Sequence, residues 1–473
     1  MNYAIILAAG KGTRMKTELP QCAYPLIRKP MVAYVVENVL DFFDEVIVVV
    51  GYKRDTIRDI LGDSVRYAVQ EEQLGTGHAV LAAEGLVEDL EGNSLILSGN
   101  MPLLDSEIIV KAFQDHINRR HDLTVLTTTI ENPQGYGRII RNESGFYLEE
   151  IVEEEEATTL QKLIKEVNAG VYIVKNHLLF PALKKITNDN VRQEYYLTDI
   201  VKVMQRENCV IGSFSIKDSI KATSINDLYT LSVVEAKLRH DINREHMLNG
   251  VAMINPETIT IGHNVIIEEN VTIHPNTYIT GNSIIKKGAI IGPNTEIHES
   301  IIGERVKVRH SLVYNSIVNE DTTIGPFAHL RDGANIGPRN RIGNFVEVKK
   351  SKTGSNTKAA HLSYIGDATC GSNVNFGCGS ITVNYDGKQK YQTFIGDDVF
   401  IGCNVNLIAP IRIEDNAFIA AGSTLNKNVP KHSLAIARAY QVNKENYLRD
   451  HDIHKLRAEK LDSLNPNAAQ AKE

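Results

Sequence analysis

The sequence contains no apolar run approaching the roughly 18 residues that cross a membrane as a helix, so we expect no membrane span. No basic segment or cleavage site precedes the first apolar run, Tyr3–Leu7, so we also expect no signal peptide. The five cysteines are odd in number and lack Cys-x-x-Cys spacing. A disulfide framework and a zinc site are therefore disfavoured, and a reducing, cytoplasmic setting is expected.

An excess of basic charge is also missing. The chain has 51 lysines and arginines against 58 aspartates and glutamates, which gives a formal net charge of −7. This balance gives no sign of a nucleic-acid partner, so an anionic substrate must be held by a few local basic residues. The 473 residues, 42% of them hydrophobic, are enough for roughly two to four ordinary domains.

The first half of the chain alternates short apolar runs with helical patterns. Tyr3–Leu7, Glu45–Val50 and Ser94–Leu97 indicate buried strands, whereas Met31–Phe43 and Ser106–Arg119 indicate helices. This alternation predicts a Rossmann-like α/β domain, with helices on both faces of a parallel or mixed sheet. Ligands of such sheets bind at the carboxyl ends of the strands.

The hydrophobic period changes to six residues after Gly250. Isoleucine recurs at every sixth position from 261 to 297, and the step returns at Ile324–Val348 and Ile395–Ile419. This step fits no α-helical seam and is typical of hexapeptide repeats stacked in a left-handed parallel β-helix. Two polar stretches, Lys349–Tyr364 and Asn384–Thr393, break the period, and we expect irregular excursions that carry a site there.

The segment between the two halves is predicted to be one connecting helix. Leu231 and Val234 follow helical spacing, Asn226 is the expected N-cap, and Gly250 is the expected stop. We therefore predict an α/β nucleotidyltransferase-like domain at 1–226, a linker helix at 227–250, a β-helix domain at 251–447 and a tail at 448–473.

Three loops in the first half suit a phosphate-bearing ligand. In Leu7-Ala8-Ala9-Gly10-Lys11-Gly12-Thr13-Arg14, backbone N–H groups and the arginine can hold phosphate oxygens. Gln70–Ala79 offers amides suited to a base edge, and Gly135-Tyr136-Gly137-Arg138 adds a third loop. Taken alone, the first loop is equally consistent with a tight strand-to-helix turn.

Together these motifs resemble the sugar-1-phosphate nucleotidyltransferases. The order of both halves is similar to the bifunctional N-acetylglucosamine-1-phosphate uridylyltransferase / glucosamine-1-phosphate N-acetyltransferase family, up to about Tyr447. The resemblance implies acetyl transfer from acetyl-CoA to glucosamine-1-phosphate. It also implies uridylyl transfer from UTP with Mg²⁺, giving UDP-N-acetylglucosamine for cell-wall biosynthesis. Relatives of this kind form homotrimers, so a cytoplasmic homotrimer is expected.

In the first half the resemblance implies a UDP-sugar pocket and a magnesium site. The pocket residues would be Leu7, Ala8, Ala9, Gly10, Arg14, Gln21, Gln70, Gly75, Thr76, Gly137, Glu153, Asn168 and Asn226. Magnesium would be held at Asn226 and at position 100.

Two positions depart from the family pattern in this half. Gln21 stands where the family has a phosphate-contacting lysine, and Asn100 stands where it has a metal-binding aspartate. Magnesium prefers anionic oxygen ligands, and glutamine cannot neutralise charge on a transferring phosphoryl group. We therefore predict a folded domain with weak or absent uridylyl transfer. The alternatives are a fully bifunctional enzyme, in which Asp105 is a candidate substitute ligand, and a domain that only binds or assembles.

Acetyl transfer to an amine needs a base, a donor for the oxyanion and cations for the sugar phosphate. The resemblance implies His361 as the base, although a histidine taken alone would more often merely cap a loop. The implied acceptor site comprises Arg331, Lys349, Glu347, Tyr364, Asn375, Asn384 and Tyr385. The implied acetyl-CoA contacts are Cys378, Asn384, Tyr385, Cys403, Ala421 and Arg438. We expect the two cysteines to be small packing residues rather than nucleophiles, and Asn384–Gly387 also fits a plain turn.

Overall fold

The structure, a computed structural model, describes residues 1–145, 147–450 and 452–463. It divides into two compact units, Met1–Asp321 and Thr322–Glu473. Residues 464–473 of the predicted tail lie outside the described part, and the predicted four-part domain division stays a prediction. Within the described ranges, no helix combines the length and the apolar character that a membrane crossing requires.

A mixed sheet forms the α/β part of the first unit. Its main path has the order Ile211–Ile216, Leu123–Thr129, Glu166–Lys175, Asn93–Ser98, Tyr3–Ala8, Glu45–Val50 and Arg66–Val69. Glu166–Lys175 runs antiparallel to both neighbours, whereas the other pairs are parallel. A hairpin of Arg138–Arg141 and Leu148–Val152 attaches to that antiparallel strand.

The strand residues explain why both faces are covered. Tyr3 and Ile5 lie in one core while Ala4 and Ile6 lie in the other, because successive side chains point to opposite faces of a strand. Both faces are apolar, so both need helices. The helices are Met31–Leu40, Arg54–Leu61, Thr76–Leu81, Ser106–Asn118, Asn176–Leu183 and Ile200–Arg206. The predicted α/β class is confirmed.

Short 3₁₀ turns and one two-stranded ribbon complete this part. The turns are Thr13–Met15, Gln21–Ala23, Glu84–Leu86, Gln161–Leu163, Leu197–Asp199 and Ser219–Ala222, and the ribbon pairs Pro25–Leu26 with Lys29–Pro30.

The connecting helix is Leu228–Leu248. Its N-cap is Asp227, whose side chain accepts the backbone N–H of Thr230 at 2.7 Å. The predicted cap at Asn226 is therefore wrong by one residue. The Asn226 side chain instead accepts hydrogen bonds from two side-chain amides. At the other end, the buried Asn243 donates from Nδ2 to backbone oxygens that follow the helix, which fixes the helix to the next segment.

The rest of the first unit consists of short parallel strands. They are Ala252–Met253, Thr260–Ile261, Ile266–Ile267, Thr272–Ile273, Thr277–Thr280, Ile284–Ile285, Ile290–Ile291, Thr295–His298, Ile301–Ile302, Lys307–Val308, Leu312–Tyr314 and Ile317–Val318, with a 3₁₀ turn at Pro256–Thr258. Ile279 pairs with Ile261 and Ile297 in the adjoining coils, and all three are fully buried. Three six-residue steps therefore complete one coil, and the predicted left-handed β-helix is confirmed.

The second unit continues in the same repeat. Its strands are Thr323–Ile324, His329–Arg331, Asn335–Ile336, Arg341–Lys349, Lys352–Thr353, Lys358–Gly366, Ala368–Cys370, Asn375–Phe376, Ile381–Val383, Thr393–Ile395, Phe400–Ile401, Asn406–Ile408, Ile411–Ile413, Phe418–Ile419, Thr424–Leu425 and Leu434–Ala435. The helices Tyr447–Asp450 and Ile453–Ser463 follow.

One of the two predicted excursions is wrong. Lys349–Tyr364 forms a regular coil whose strand Lys358–Gly366 pairs in parallel with Arg341–Lys349. The six-residue phase breaks there because stacked partners such as Asn344 and His361 are 17 residues apart, whereas an 18-residue coil, such as the one that separates Asn276 from Asn294, keeps the phase. The second excursion is confirmed, because Asn384–Thr393 leaves the coil and stacked partners on either side of it are 25 residues apart.

Candidate functional sites

A cavity of about 420 Å³ opens at the carboxyl ends of the central strands of the α/β sheet. It is lined by Leu7, Arg14, Thr76, Ser98, Asn100, Gln134, Gly135, Tyr136, Gly137, Glu153, Asn168, Ala169, Gly170, Tyr172, Leu197, Thr198, Ser224, Asn226, Asp227 and Thr230. This is where a parallel sheet places a ligand, and it brings together seven of the thirteen residues predicted for a UDP-sugar: Leu7, Arg14, Thr76, Gly137, Glu153, Asn168 and Asn226.

The other six predicted residues lie outside the cavity lining: Ala8, Ala9, Gly10, Gln21, Gln70 and Gly75. Gln70 is buried, and its Nε2 donates to the backbone oxygen of Gly75 at 3.2 Å, so it holds the start of the helix Thr76–Leu81. The first glycine loop turns through Gly12, at φ 69°, into the 3₁₀ turn that carries Arg14 to the cavity.

The two positions that depart from the family pattern meet in space. Gln21 Nε2 donates to Asn226 Oδ1 at 3.0 Å and to the backbone oxygen of Ile225. Asn100 Nδ2 donates to the same two oxygens, at 3.3 Å and 2.9 Å respectively. The side-chain oxygen of Asn226, the expected metal ligand, therefore already accepts two amide hydrogen bonds.

The oxygens around position 100 do not fit a magnesium ion. Asn100 Oδ1 is buried and lacks a hydrogen-bond partner within the described part of the chain, but it is a neutral oxygen. The described residues contain no group of three or more His, Cys, Asp or Glu side chains that could hold a metal. Asp227 also borders the cavity, but its carboxylate caps the connecting helix.

The suggested substitute ligand, Asp105, does not face this cavity. Its carboxylate accepts the backbone N–H of Ile108 at 3.0 Å as a helix N-cap, and it forms an ion pair with Lys221. It lines a separate cavity beside the connecting helix. This alternative is wrong, because the turn after position 100 carries Asp105 to another surface.

The opposite wall of the cavity holds two residues that sequence reasoning missed. Thr198 donates from Oγ1 to Glu153 at 2.9 Å, and Asn168 Nδ2 donates to the Tyr172 hydroxyl at 2.7 Å. Burial raises the pKa of Glu153, and the hydrogen bond from Thr198 partly opposes this. Neither Thr198 nor Tyr172 lies in a glycine loop, so no local pattern pointed to them.

In the second unit, His361 lies in one row along successive coils with four of the six residues expected to bind acetyl-CoA, namely Cys378, Cys403, Ala421 and Arg438. The other two, Asn384 and Tyr385, lie at the second excursion. The backbone N–H of Gly379 donates to the oxygen of Leu362 at 2.7 Å, which places Cys378 beside His361. Asn404 N–H bonds to Cys378 O, and Gly422 N–H bonds to Cys403 O, both at 2.8 Å. The row therefore runs His361, Cys378, Cys403, Ala421.

The end of this row carries a cation, and its cysteines are reduced. A Cβ on Gly422 would lie 3.8 Å from Cδ of Arg438, so this exposed arginine stands beside Ala421. Cys378 and Cys403 are both free and exposed. Both are small side chains on the surface of the row, and their role as packing residues rather than nucleophiles stays a prediction.

His361 has a fixed partner that the sequence did not indicate. Its Nδ1 lies 3.0 Å from Oδ1 of Asn344, the residue that pairs with it on the preceding coil. An amide oxygen only accepts, so Nδ1 carries a hydrogen, and in the neutral ring Nε2 keeps its lone pair. His361 is exposed on the strand Lys358–Gly366 rather than in a loop, so its lone pair is open to a substrate.

The predicted phosphate cations lie together on adjoining coils. Arg331 pairs in register with Lys349, and it contacts Glu347 at 2.7 Å and Asp332 at 2.8 Å. Lys349 lies 3.8 Å from the same Asp332 carboxylate. The charges of the two cations are thus balanced by the carboxylates of Glu347 and Asp332. A phosphate that displaced the Asp332 carboxylate would contact both cations. Asp332 was not predicted from the sequence.

The remaining acceptor residues surround the base of the second excursion. Tyr364 pairs in register with Glu347, and Asn384 Nδ2 reaches the Tyr364 hydroxyl at 3.4 Å. Tyr385 is exposed and bridges to Lys390 across the excursion. Asn375 pairs with Lys358, away from these groups. Among the described residues, no hydrogen bond or ion pair joins Arg331 or Lys349 to His361.

Three protein-family models match parts of the chain. Residues 3–220 match the nucleotidyl transferase family, residues 261–353 the GMPPB C-terminal domain, and residues 392–427 the bacterial transferase hexapeptide family (six repeats).

Curated relatives match almost the whole chain. A protein of Acholeplasma laidlawii is 58% identical over 94% of this chain and 97% of its own length. A protein of Halalkalibacterium halodurans is 46% identical over 94% of this chain and 98% of its own length. A protein of Streptococcus agalactiae serotype V is 43% identical over 96% of this chain and 99% of its own length. All three carry the name bifunctional protein GlmU.

Proposed function

Because the chain belongs to the family of the bifunctional protein GlmU, we propose that its C-terminal site transfers the acetyl group of acetyl-CoA to the amine of glucosamine-1-phosphate. The observation that carries the proposal is the histidine row: His361, held at Nδ1 by Asn344, stands at one end of the exposed small residues Cys378, Cys403 and Ala421. This arrangement supports a general base beside a groove for an extended thioester ligand.

The proposed reaction needs one proton transfer by the protein. The amine nitrogen attacks the thioester carbonyl carbon, so that a C–N bond forms and the C–S bond breaks. His361 Nε2 accepts the proton that the amine loses, and the CoA thiolate leaves and is protonated. The product is N-acetylglucosamine-1-phosphate, and no covalent acyl-enzyme is required.

Binding of the acceptor follows from the charged cluster. Arg331 and Lys349 would hold the phosphate, because both cations share the half-exposed carboxylate of Asp332 as a partner. Tyr364, Asn384 and Tyr385 would contact the sugar, with Glu347 fixing Arg331, whereas Asn375 lies away from these groups. Arg438 at the end of the row would suit the phosphates of CoA.

The acetyl step is tested by release of free thiol from acetyl-CoA with glucosamine-1-phosphate as acceptor, with the acetylated product identified by mass. We expect thiol release only when both substrates are present. Absence of thiol release from the folded parent protein would overturn the proposal.

For the N-terminal cavity we propose that it binds a uridine nucleotide but catalyses uridylyl transfer weakly. The support is local: Gln21 and Asn100 direct two amides at Asn226 Oδ1. Losing one charged stabilising group typically costs about 3–4 kcal/mol, or roughly 100 to 1000-fold in rate. The relatives' name supports both activities for the family and gives no support to a loss in this chain, so the proposal rests on these two positions.

A second candidate is a fully bifunctional enzyme that completes UDP-N-acetylglucosamine synthesis, and the printed name of the relatives favours it. A third is a domain that only binds nucleotide or assists assembly. Pyrophosphate release from UTP and N-acetylglucosamine-1-phosphate with magnesium separates them. Robust magnesium-dependent turnover would establish the second candidate and overturn the weak-activity proposal, whereas nucleotide binding without turnover would favour the third.

We also propose that the protein is a cytoplasmic homotrimer. The elements of the acetyl site lie on separated coils, and Phe345 and Leu362 are more than half exposed on adjoining coils of the second unit, which supports contact with a second copy. The five free cysteines support a reducing compartment. Light scattering should give a trimer mass, and a fully active monomer would contradict this.

A further inference from the structure

A buried carboxylate beside the proposed acetyl site has no role in the proposed chemistry. Asp367 is 5% exposed and sits in the left-handed region at φ 48°. Its backbone N–H donates to the oxygen of Lys349 at 3.1 Å, and its own oxygen accepts the N–H of Thr393 at 3.1 Å. Asp367 thus ties a predicted phosphate-binding residue to the end of the second excursion.

The side chain of Asp367 ties down the start of the same excursion. Its Oδ2 accepts a hydrogen bond from Asn384 Nδ2 at 2.5 Å. The backbone oxygen of Asn384 in turn accepts the N–H of Tyr391 at 2.8 Å, which closes the base of the excursion. A charged acceptor in a dry position makes this hydrogen bond stronger than one between neutral groups.

The carboxylate also decides which way the Asn384 amide points. A carboxylate only accepts hydrogen bonds, so the group of Asn384 that faces Asp367 must be the NH₂. The same Nδ2 reaches the Tyr364 hydroxyl at 3.4 Å. Asn384 Oδ1 is then the amide atom that remains, and it accepts no hydrogen bond from any residue in the described ranges.

The orientation of the Asn384 amide matters because Asn384 lies next to residues of the proposed acceptor site. Tyr364, which Asn384 contacts, pairs in register with Glu347, and Glu347 holds Arg331. Asn384 therefore stands on the side of the proposed acceptor rather than along the row of His361, Cys378, Cys403 and Ala421. A carbonyl oxygen there can accept an N–H of the acceptor amine, whereas an NH₂ group cannot.

We propose that Asp367 is a positioning residue that locks Asn384 Oδ1 toward the acceptor amine, and so tunes recognition of the amino sugar. This inference rests on the proposed acetyl transfer. A change at Asp367 should therefore affect recognition of the acceptor but not of acetyl-CoA. It should do so only through Asn384.

Four variants test this by steady-state kinetics: Asp367→Asn, Asn384→Ala, the double variant and Asp398→Asn. Asparagine tolerates the left-handed region, so Asp367→Asn keeps the backbone and removes the obligate acceptor. Asp398→Asn is the matched control. It makes the same change at an exposed residue with φ 56°, whose carboxylate accepts only from Asn373.

We expect Asp367→Asn to lower kcat/KM for glucosamine-1-phosphate by roughly 10 to 100-fold, with KM for acetyl-CoA nearly unchanged. In the Asn384→Ala background the same change should have little further effect, because the two residues act through one interaction. The control should match the parent, and equal unfolding midpoints would exclude a general loss of fold.

Three outcomes overturn the inference: Asp367→Asn that behaves like the control, a loss that falls equally on both substrates, or losses that multiply in the double variant. Each of these requires an active parent. A parent without acetyl transfer would instead overturn the proposed function, so the two failures are distinguishable.

Discussion

Asn344 and His361 occupy paired positions on adjoining coils, with Oδ1 of the asparagine 3.0 Å from Nδ1 of the histidine. The contact fixes the ring and assigns the hydrogen to Nδ1, which leaves Nε2 as the group that can accept a proton. The β-helix therefore orients the proposed base through a residue that lies 17 positions away in the chain.

Replacing the orienting residue should slow acetyl transfer without abolishing it. Asn344→Ala removes the acceptor for Nδ1–H, so the ring can rotate and populate the wrong tautomer. We expect kcat to fall by less than the roughly 100 to 10,000-fold that loss of a general base costs, with KM for acetyl-CoA largely retained. Asn282→Ala, on an exposed turn of the first unit, is the matched control. Unchanged kcat in Asn344→Ala would show that the ring is held by something else.

Restoring charge at the N-terminal cavity should raise uridylyl transfer. We expect Asn100→Asp to increase the magnesium dependence of pyrophosphate release, and Asn100→Asp combined with Gln21→Lys to raise the rate well above that of the parent. The aspartate supplies an anionic oxygen, and the lysine replaces an amide now bonded to Asn226. Asn118→Asp, at the exposed end of a helix, controls for added charge. Equal rates in the parent and the double variant would contradict this explanation.

The buried His116 should make the stability of the protein depend on pH. Its Nε2 lies 3.1 Å from Asn93 Oδ1 and its Nδ1 lies 2.8 Å from Thr124 Oγ1, a pattern that suits the neutral ring. Burial lowers the pKa of His116 to about 4, below the value of about 6.5 for an unfolded chain. The unfolded state therefore binds more protons between these values, so stability is lost as the pH falls from about 6.5 toward about 4.

The full loss corresponds to about 3 kcal/mol. His116→Gln should flatten the dependence of the unfolding midpoint on pH between pH 7 and pH 5, as measured by circular dichroism. His454→Gln, on the exposed helix Ile453–Ser463, should keep the slope of the parent. A variant at position 116 with the parent's slope would place the titrating group elsewhere.

The hexapeptide period was enough to predict the β-helix, because identical side chains six residues apart, such as Ile279 and Ile285, are both fully buried. It was not enough to interpret a break in the period. A coil one residue short shifts the phase just as a loop does, so Lys349–Tyr364 was wrongly predicted to leave the coil. The pairing of Asn344 with His361 shows only in three dimensions.

The site residues also divide into those that the sequence indicated and those that only the structure revealed. His361, Arg331 and Lys349 were indicated by the family resemblance; the structure places them on neighbouring coils, and their roles stay predictions. Asp367 and Asn344 contact side chains on other coils, and Asp332 contacts its neighbour Arg331 and Lys349 of another coil. A single polar residue of this kind carries no pattern in the sequence. The hydrogen bonds of Gln21 and Asn100 to Asn226 could not be predicted from a local pattern either, because Gln21 and Asn226 are 205 residues apart in the chain.

The central claim is that His361 takes the proton in acetyl transfer, and turnover of His361→Ala tests it most directly. Thiol release from acetyl-CoA with saturating glucosamine-1-phosphate should fall by roughly 100 to 10,000-fold relative to the parent, with modest change in either KM. His454→Ala should retain the parent's rate. Near-normal turnover by a folded His361→Ala protein would show that another group takes the proton, and the account of this site would be wrong.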